Sequence, residues 1–247
     1  MKNNIANLVG TDRRAVHWRR AQRSRPTLRW PLLAALALVF FQAARADTLA
    51  PGDVKNLLAR IRERRAAAPH VQGDFQEEKV IRLMNKPIVS AGKVWFQAPD
   101  KFRREVKGNS PSVTVSDGRQ LWIYYPNFKS AEHYSLGKRT PLDTGLAAIT
   151  AALNLENVEA SYQITGTKTD KGYELELVPR RSSLNKLFQK FRLHLNQDLL
   201  VDRTEMLQAN GDRVVTVYSN QTRAPIPAST FEFTPPPGTD VTTPLGR

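Results

Sequence analysis

From Val71 onward the chain repeats one pattern: a short run of β-forming residues, then a turn signal. Such a chain folds as strands joined by tight connections, which means an antiparallel sheet. The runs are Val71–Leu83, Val89–Gln97, Phe102–Val106, Val113–Val115, Leu121–Tyr125, Glu132–Leu136, Tyr162–Thr165, Tyr173–Val178, Lys190–Leu195, Leu200–Gln208, Val214–Ser219 and Phe231–Phe233. Between them stand Pro99-Asp100, Asp117-Gly118, Thr169-Asp-Lys-Gly172 and Asn210-Gly211. Asp-Gly and Asn-Gly supply the positive φ angles that tight hairpin turns demand.

Two segments carry helical rather than strand periodicity. In Asp53–Arg65, Val54, Leu57, Leu58 and Ile61 recur at three- and four-residue spacing and form one apolar face. The stretch Leu142–Leu155, with Leu146 and Ile149, reads as a second helix beginning near Pro141. The expected fold is therefore mainly β. A single antiparallel sheet of roughly ten twisted strands tends to curl, and two modest helices cover its concave face only partly. That leaves room for a ligand beneath the helices.

The first 46 residues stand apart from this pattern. Met1 to Trp30 is rich in arginine, Leu32–Phe41 is an unbroken apolar run, and Ala44-Arg45-Ala46 fits a small-residue cleavage site. This is the layout of a secretory signal peptide. The apolar run rises only about 15 Å as a helix, half of what a membrane span needs. Residues 47–247 are expected to form one domain. Without residues 1–46 the net charge falls from +14 to +6, with 28 basic and 22 acidic side chains. A surplus of that size suits contact with acidic surfaces but is no nucleic-acid signature. The chain has no cysteine, which excludes thiol catalysis, thiolate metal sites and a lipid anchor built on cysteine.

Motifs for catalysis are missing. His70, His133 and His194 lie far apart, and no metal-binding spacing, nucleophile elbow or phosphate loop occurs. Asp117 belongs to a hairpin turn. The chain is expected not to be an enzyme and to need no cofactor or metal.

Five stretches carry a family resemblance in the right order: Gly73-Asp-Phe-Gln76, Ser90-Ala-Gly-Lys-Val-Trp-Phe96, Pro99-Asp-Lys-Phe-Arg103, Val115-Ser-Asp-Gly-Arg-Gln-Leu-Trp-Ile-Tyr-Tyr-Pro126 and Phe231-Glu-Phe-Thr-Pro-Pro-Pro-Gly238. Together they resemble the LolA family, the periplasmic lipoprotein carriers of Gram-negative bacteria. The resemblance implies an unclosed β-barrel with a helical lid that shields acyl chains. It also implies transfer of lipoproteins from an inner-membrane ATP-driven transporter of the ABC type to an outer-membrane receptor, by a monomer in the periplasm with no stable membrane anchor. Related carriers for other acylated products, such as glycolipids or polyene pigments, and lipoprotein-sensing modules share this resemblance. Two positions depart from the family pattern. Ala98 stands where many members have an arginine that helps hold the lid closed, and Arg104 stands where tryptophan is frequent.

The candidate cargo-binding residues are Leu58, Phe75, Val94, Phe96, Phe102, Leu121, Ile123, Leu146, Ile149, Leu177, Phe191 and Leu193. Phe102 is set by the family motif at the cavity mouth. The rest are apolar residues of the strands and helices, and alternation alone does not say which parity faces inward. Arg103, Arg104 and Lys107 are expected to form a cationic rim for partner docking.

Overall fold

The computed structural model describes residues 47–136, 155 and 158–244. The signal-peptide segment lies outside them, as does the stretch read as a second helix, Leu155 excepted. Within them, thirteen strands form one continuous sheet. In chain order the strands are β1 (Asp47–Thr48), β2 (His70–Val80), β3 (Ile88–Gln97), β4 (Lys101–Lys107), β5 (Ser112–Ser116), β6 (Gln120–Tyr125), β7 (Ser130–Ser135), β8 (Tyr162–Thr169), β9 (Gly172–Pro179), β10 (Phe188–Asn196), β11 (Val201–Gln208), β12 (Arg213–Thr222) and β13 (Asp240–Thr242).

Across the sheet the order is β1-β8-β9-β10-β11-β12-β2-β3-β4-β5-β6-β7-β13. Two antiparallel meanders, β2 to β7 and β8 to β12, are joined through the antiparallel β12–β2 pair. Only β13 is parallel to its neighbour, β7. The terminal strands β1 and β13 do not pair with each other, so the sheet stays unclosed. The mainly β, unclosed architecture expected from the sequence is present. Eleven of the twelve runs read from the sequence are strands, and the two strands without a run, β1 and β13, are two and three residues long, too short to show a period.

The turns follow the sequence closely. Asp117 Oδ1 accepts the backbone N–H groups of Arg119 and Gln120 at 2.8 and 2.7 Å, closing the β5–β6 connection. Gly172 takes φ +145 opposite Asn196, where a Cβ would stand 1.9 Å from Leu195 O. Two expectations fail. The run to Leu83 stops as a strand at Val80, and residues 81–87 form a connecting turn with Met84 N–H donating to Ile81 O. Phe231-Glu-Phe233 is not a strand. Ala228–Phe231 is a 3-10 turn among prolines that lack the N–H a ladder requires.

The helix α1 runs from Pro51 to Ala67. Pro51 sits in its first turn with Asp53, while Arg64 and Arg65 sit in the last, each sign matched to the helix dipole. Its apolar face of Val54, Leu57, Leu58 and Ile61 packs on Leu175 and Leu177 of β9 and Leu193 and Leu195 of β10. Tyr162, Phe188, Phe191 and Leu155 complete this core. Residues paired across a ladder share a face, so these contacts define the inner face of the sheet. The outer face of β4–β7 is covered by the C-terminal stretch: Phe231 is buried and Phe233 packs 5.8 Å from Trp122 and 5.6 Å from Tyr124, centroid to centroid.

Candidate functional site

The inner face is not uniformly filled. Beside the α1 core lies a cavity of about 310 Å³, at the lower end of the range of roughly 300–1,000 Å³ usual for ligand pockets. Its walls come from alternate positions of neighbouring strands. Val71 and Gly73 face it from β2, Val94 and Phe96 from β3, Phe102 and Arg104 from β4. Phe191 contributes from β10, Val201, Thr204 and Met206 from β11, and Val214, Thr216 and Tyr218 from β12. Arg65 of α1, Ala68 and Pro69 just after it, Gln221 of β12 and Arg223 just past that strand complete the lining on the helix side.

Register explains this set. Gly73 faces Val94, Val94 faces Arg104, and Phe96 faces Phe102. On the other side Phe191 faces Met206, which faces Val214. One parity runs across these ladders, and a register shift in the β10–β11 pair brings Val201 onto the same face as Thr204 and Met206.

The cavity wall is mostly aliphatic and aromatic, with one polar strip. Arg104 Nη2 lies 2.9 Å from Glu77 Oε2, and its guanidinium stacks 4.2 Å above the Phe75 ring. Glu77 Oε2 also accepts the Thr216 hydroxyl at 3.3 Å. Burial pushes the Tyr218 hydroxyl pKa up, partly offset by hydrogen bonds with Thr204 and Thr216. Gly92 makes this stack possible: a Cβ there would stand 1.7 Å from Glu105 O and 2.9 Å from the Phe75 ring.

Arg223 ties α1 to the sheet. It donates from Nη1 to Arg64 O at 3.0 Å, satisfying a carbonyl of the last helical turn, and from Nη2 to Asp198 O at 3.3 Å. Burial, then the nearby Arg64 charge, lowers its pKa below that of an ordinary arginine.

The residues singled out from sequence fall into distinct places. Val94, Phe96, Phe102 and Phe191 line the cavity together. Leu58, Leu177 and Leu193 are fully buried in the core beneath α1 and do not reach it. Phe75 is buried under Arg104 as part of its support. Leu121 and Ile123 share the inner face, opposite Ser116 and Thr114, but stand outside the cavity lining. Leu146 and Ile149 lie outside the described residues.

The cationic rim is corrected by the structure. Arg104 points to the inner face, whereas Arg103, its neighbour in an alternating strand, points to the outer one. There Arg103 binds Glu105 Oε1 at 2.7 Å and Thr230 O at 3.2 Å, pinning the C-terminal stretch. Lys107 is exposed at the end of β4. The three do not form one surface. The lining residues Val201, Met206, Val214, Thr216 and Tyr218 were missed, although the alternation of Val214, Thr216 and Tyr218 was visible. What was lacking was the pairing of β12 with β2, which joins distant parts of the sequence.

Residues 67–234 match the family model described as outer membrane lipoprotein carrier protein LolA. The chain belongs to the LolA family. An outer-membrane lipoprotein carrier protein of Erwinia tasmaniensis is 25% identical over 85% of this chain and 96% of its own length. One from Edwardsiella ictaluri is 29% identical over 60% of this chain and 68% of its own. Among solved structures, the LolA superfamily protein of Nitrosomonas europaea aligns with a TM-score of 0.41 and 15% identity over 72% of this chain and 97% of that one. An uncharacterized conserved protein of Thermus thermophilus gives a TM-score of 0.48 at 14% identity over 77% and 99%. Arg104, the departure from the family pattern noted in the sequence, lines the cavity.

Proposed function

We propose that this LolA-family chain is a periplasmic carrier that holds the acyl chains of lipoproteins in the inner-face cavity. The observation that carries the reading is the cavity itself, an apolar-walled void left beside a helix that covers only part of the sheet. Each methylene moved from water into such a site gains about 0.8 kcal/mol, so an acyl chain that cannot cross water alone can cross it inside the sheet. Transfer then needs only a gradient of affinity: an inner-membrane transporter loads the carrier, and an outer-membrane receptor that binds the chains more tightly unloads it. No chemical step is required, and the protein acts by binding and release rather than as an enzyme. Loading moves α1 from the sheet, which breaks the Arg223 hydrogen bond to Arg64 O and leaves the one to Asp198 O on the sheet side.

Phe102 tests the reading. It lines the cavity opposite Phe96, and a carboxylate there is desolvated by any acyl chain that enters. Phe102→Asp should fold and reach the periplasm, yet accept less than a tenth of the wild-type load of acylated lipoprotein in a transfer assay. Equal loading would remove this cavity as the acyl site. The polar strip of Arg104, Glu77 and Thr216 favours a second cargo, an acylated product with a polar group close to its chain, such as a glycolipid. Native mass spectrometry of the protein from its own periplasm separates the two: an acylated peptide mass supports lipoprotein carriage, and a free lipid mass supports the other cargo.

A further inference from the structure

The β2–β3 connection is built unlike the other turns of the sheet. Its tip is apolar and bare: Leu83 is 94% exposed and Met84 50%, and Ile88 and Val89 at the start of β3 are 47% and 59% exposed. A leucine so exposed loses the transfer free energy that burial normally gives it, and four such residues at one hairpin end form a patch rather than a scatter. The connecting segment itself carries charge of one sign: from Lys79 to Pro99 the chain has Lys79, Arg82, Lys86 and Lys93 and no acidic residue. The acids nearest it are Glu78, paired with Val89 at its base, and Asp212, which is engaged with the Arg82 backbone.

The tip is also held rigidly. Arg82 N–H donates to Asp212 Oδ1 at 3.0 Å, and Asp212, itself buried, is locked by Asn210 through bonds of 2.9 and 3.0 Å. The β2–β3 tip and the β11–β12 turn thus form one platform. A fifth exposed apolar residue joins it: Leu187, 46% exposed, accepts the Ala209 N–H through its carbonyl at 3.3 Å, beside Lys186. Lys79 pairs with Val214, a residue of the cavity wall, so the platform begins one register step beyond the cavity.

We infer that this platform docks on an anionic phospholipid surface, with Leu83 and Met84 entering the interface and Lys79, Arg82 and Lys86 meeting lipid phosphates. The tip carries no aromatic side chain for a protein pocket to read. Aliphatic side chains flanked in the chain by Lys and Arg match the apolar and anionic layers of a bilayer. The contact is shallow and reversible, unlike a spanning anchor, and among the described residues no helix is long and apolar enough to cross a membrane. It would bring the cavity end of the sheet to the bilayer from which acyl cargo is taken.

The test is co-sedimentation of the purified, cargo-free protein with vesicles of phosphatidylethanolamine and phosphatidylglycerol, against vesicles of phosphatidylcholine alone. Because no cargo is involved, the result is independent of the acyl-carrier reading. The wild type should partition onto the anionic vesicles and be released by high salt. Leu83→Ser with Met84→Ser should lower the partition coefficient at least ten-fold. Arg82→Gln with Lys86→Gln, which keeps the side-chain stems, should lower it roughly ten-fold at low salt. Equal partitioning of wild type and the serine variant overturns the proposal, as does equal binding to both kinds of vesicle. A wild type that ignores vesicles, while the serine variant loses transfer to the receptor, also overturns it and assigns the tip to a protein partner.

Discussion

The inner face of the sheet has two regions made of the same kind of residue, and they end in opposite states. Under α1, Leu58, Leu177 and Leu193 are wholly withdrawn from solvent and packed into a dry core. A few strands away, Val94, Phe96 and Phe102 stand on the same face and line a cavity among the described residues. Neither hydrophobicity nor strand parity separates the two groups. Among the described residues the difference is the reach of one helix, whose apolar stripe lies over the β9–β10 core and ends at Ile61. An apolar side chain beneath it stabilises the fold, and one beyond it lines the cavity proposed to hold acyl chains. Phe191 belongs to both regions, lining the cavity while closing the core against Phe188 at 4.5 Å.

The sharpest way to break this comparison is to truncate one residue in each region. Leu193→Ala should destabilise the protein by about 2–5 kcal/mol, because the dry core cannot collapse onto the lost methyl groups. Phe102→Ala, on the open side, should cost markedly less in the same urea titration. Equal losses would mean that the cavity wall is as tightly packed as the core.

A smaller effect is expected from the polar strip. The Arg104–Glu77 pair is partly screened, with side-chain exposures of 30% and 25%. A double-mutant cycle of Arg104→Ala and Glu77→Ala should give a coupling of about 0.5–3 kcal/mol. Coupling within error of zero would show that the strip is held by the Phe75 stack alone.

The smallest effect belongs to the outer face of the dry half. There Glu176 accepts from Arg192 at 2.8 Å and Lys190 at 3.0 Å, which lowers its pKa against the opposing effect of burial. A carboxylate depressed in the folded state adds stability above its unfolded value of 4.5, and that stability is lost as pH falls through the folded pKa. Glu176→Gln should therefore lower stability at pH 7 by at most about 1 kcal/mol, given the solvent exposure of the pair. The melting temperatures of variant and wild type should converge as pH falls from 5 towards 3. A gap that does not narrow at all as pH falls below 4.5 would place the effect in packing rather than charge.

Hairpin turns were plain in the sequence because their chemistry is local. Asp117 and Gly118, Asp170 to Gly172, and Asn210 with Gly211 each act within a few residues. The apolar face of α1 was equally plain, since Val54, Leu57, Leu58 and Ile61 meet on one side at helical spacing. Phe231 and Phe233 misled, because an aromatic alternation looks the same whether it pairs in a ladder or folds onto the outside of one. Leu83 misled for a related reason: a strand pattern can run on past the last ladder bond.

The sequence by itself determined that this chain is an antiparallel, mainly β protein with a helix to lay on its sheet, since periods of two and of three to four residues are properties of neighbours in the chain. It also carried the five motifs of the LolA family. Only the tertiary structure decided that Arg104 enters the cavity while Arg103 leaves it, that Leu177 is core while Phe96 is wall, and that Leu83 stands bare in solvent. Those outcomes depend on the pairing of β12 with β2 and on where α1 comes to rest, contacts between residues more than a hundred positions apart.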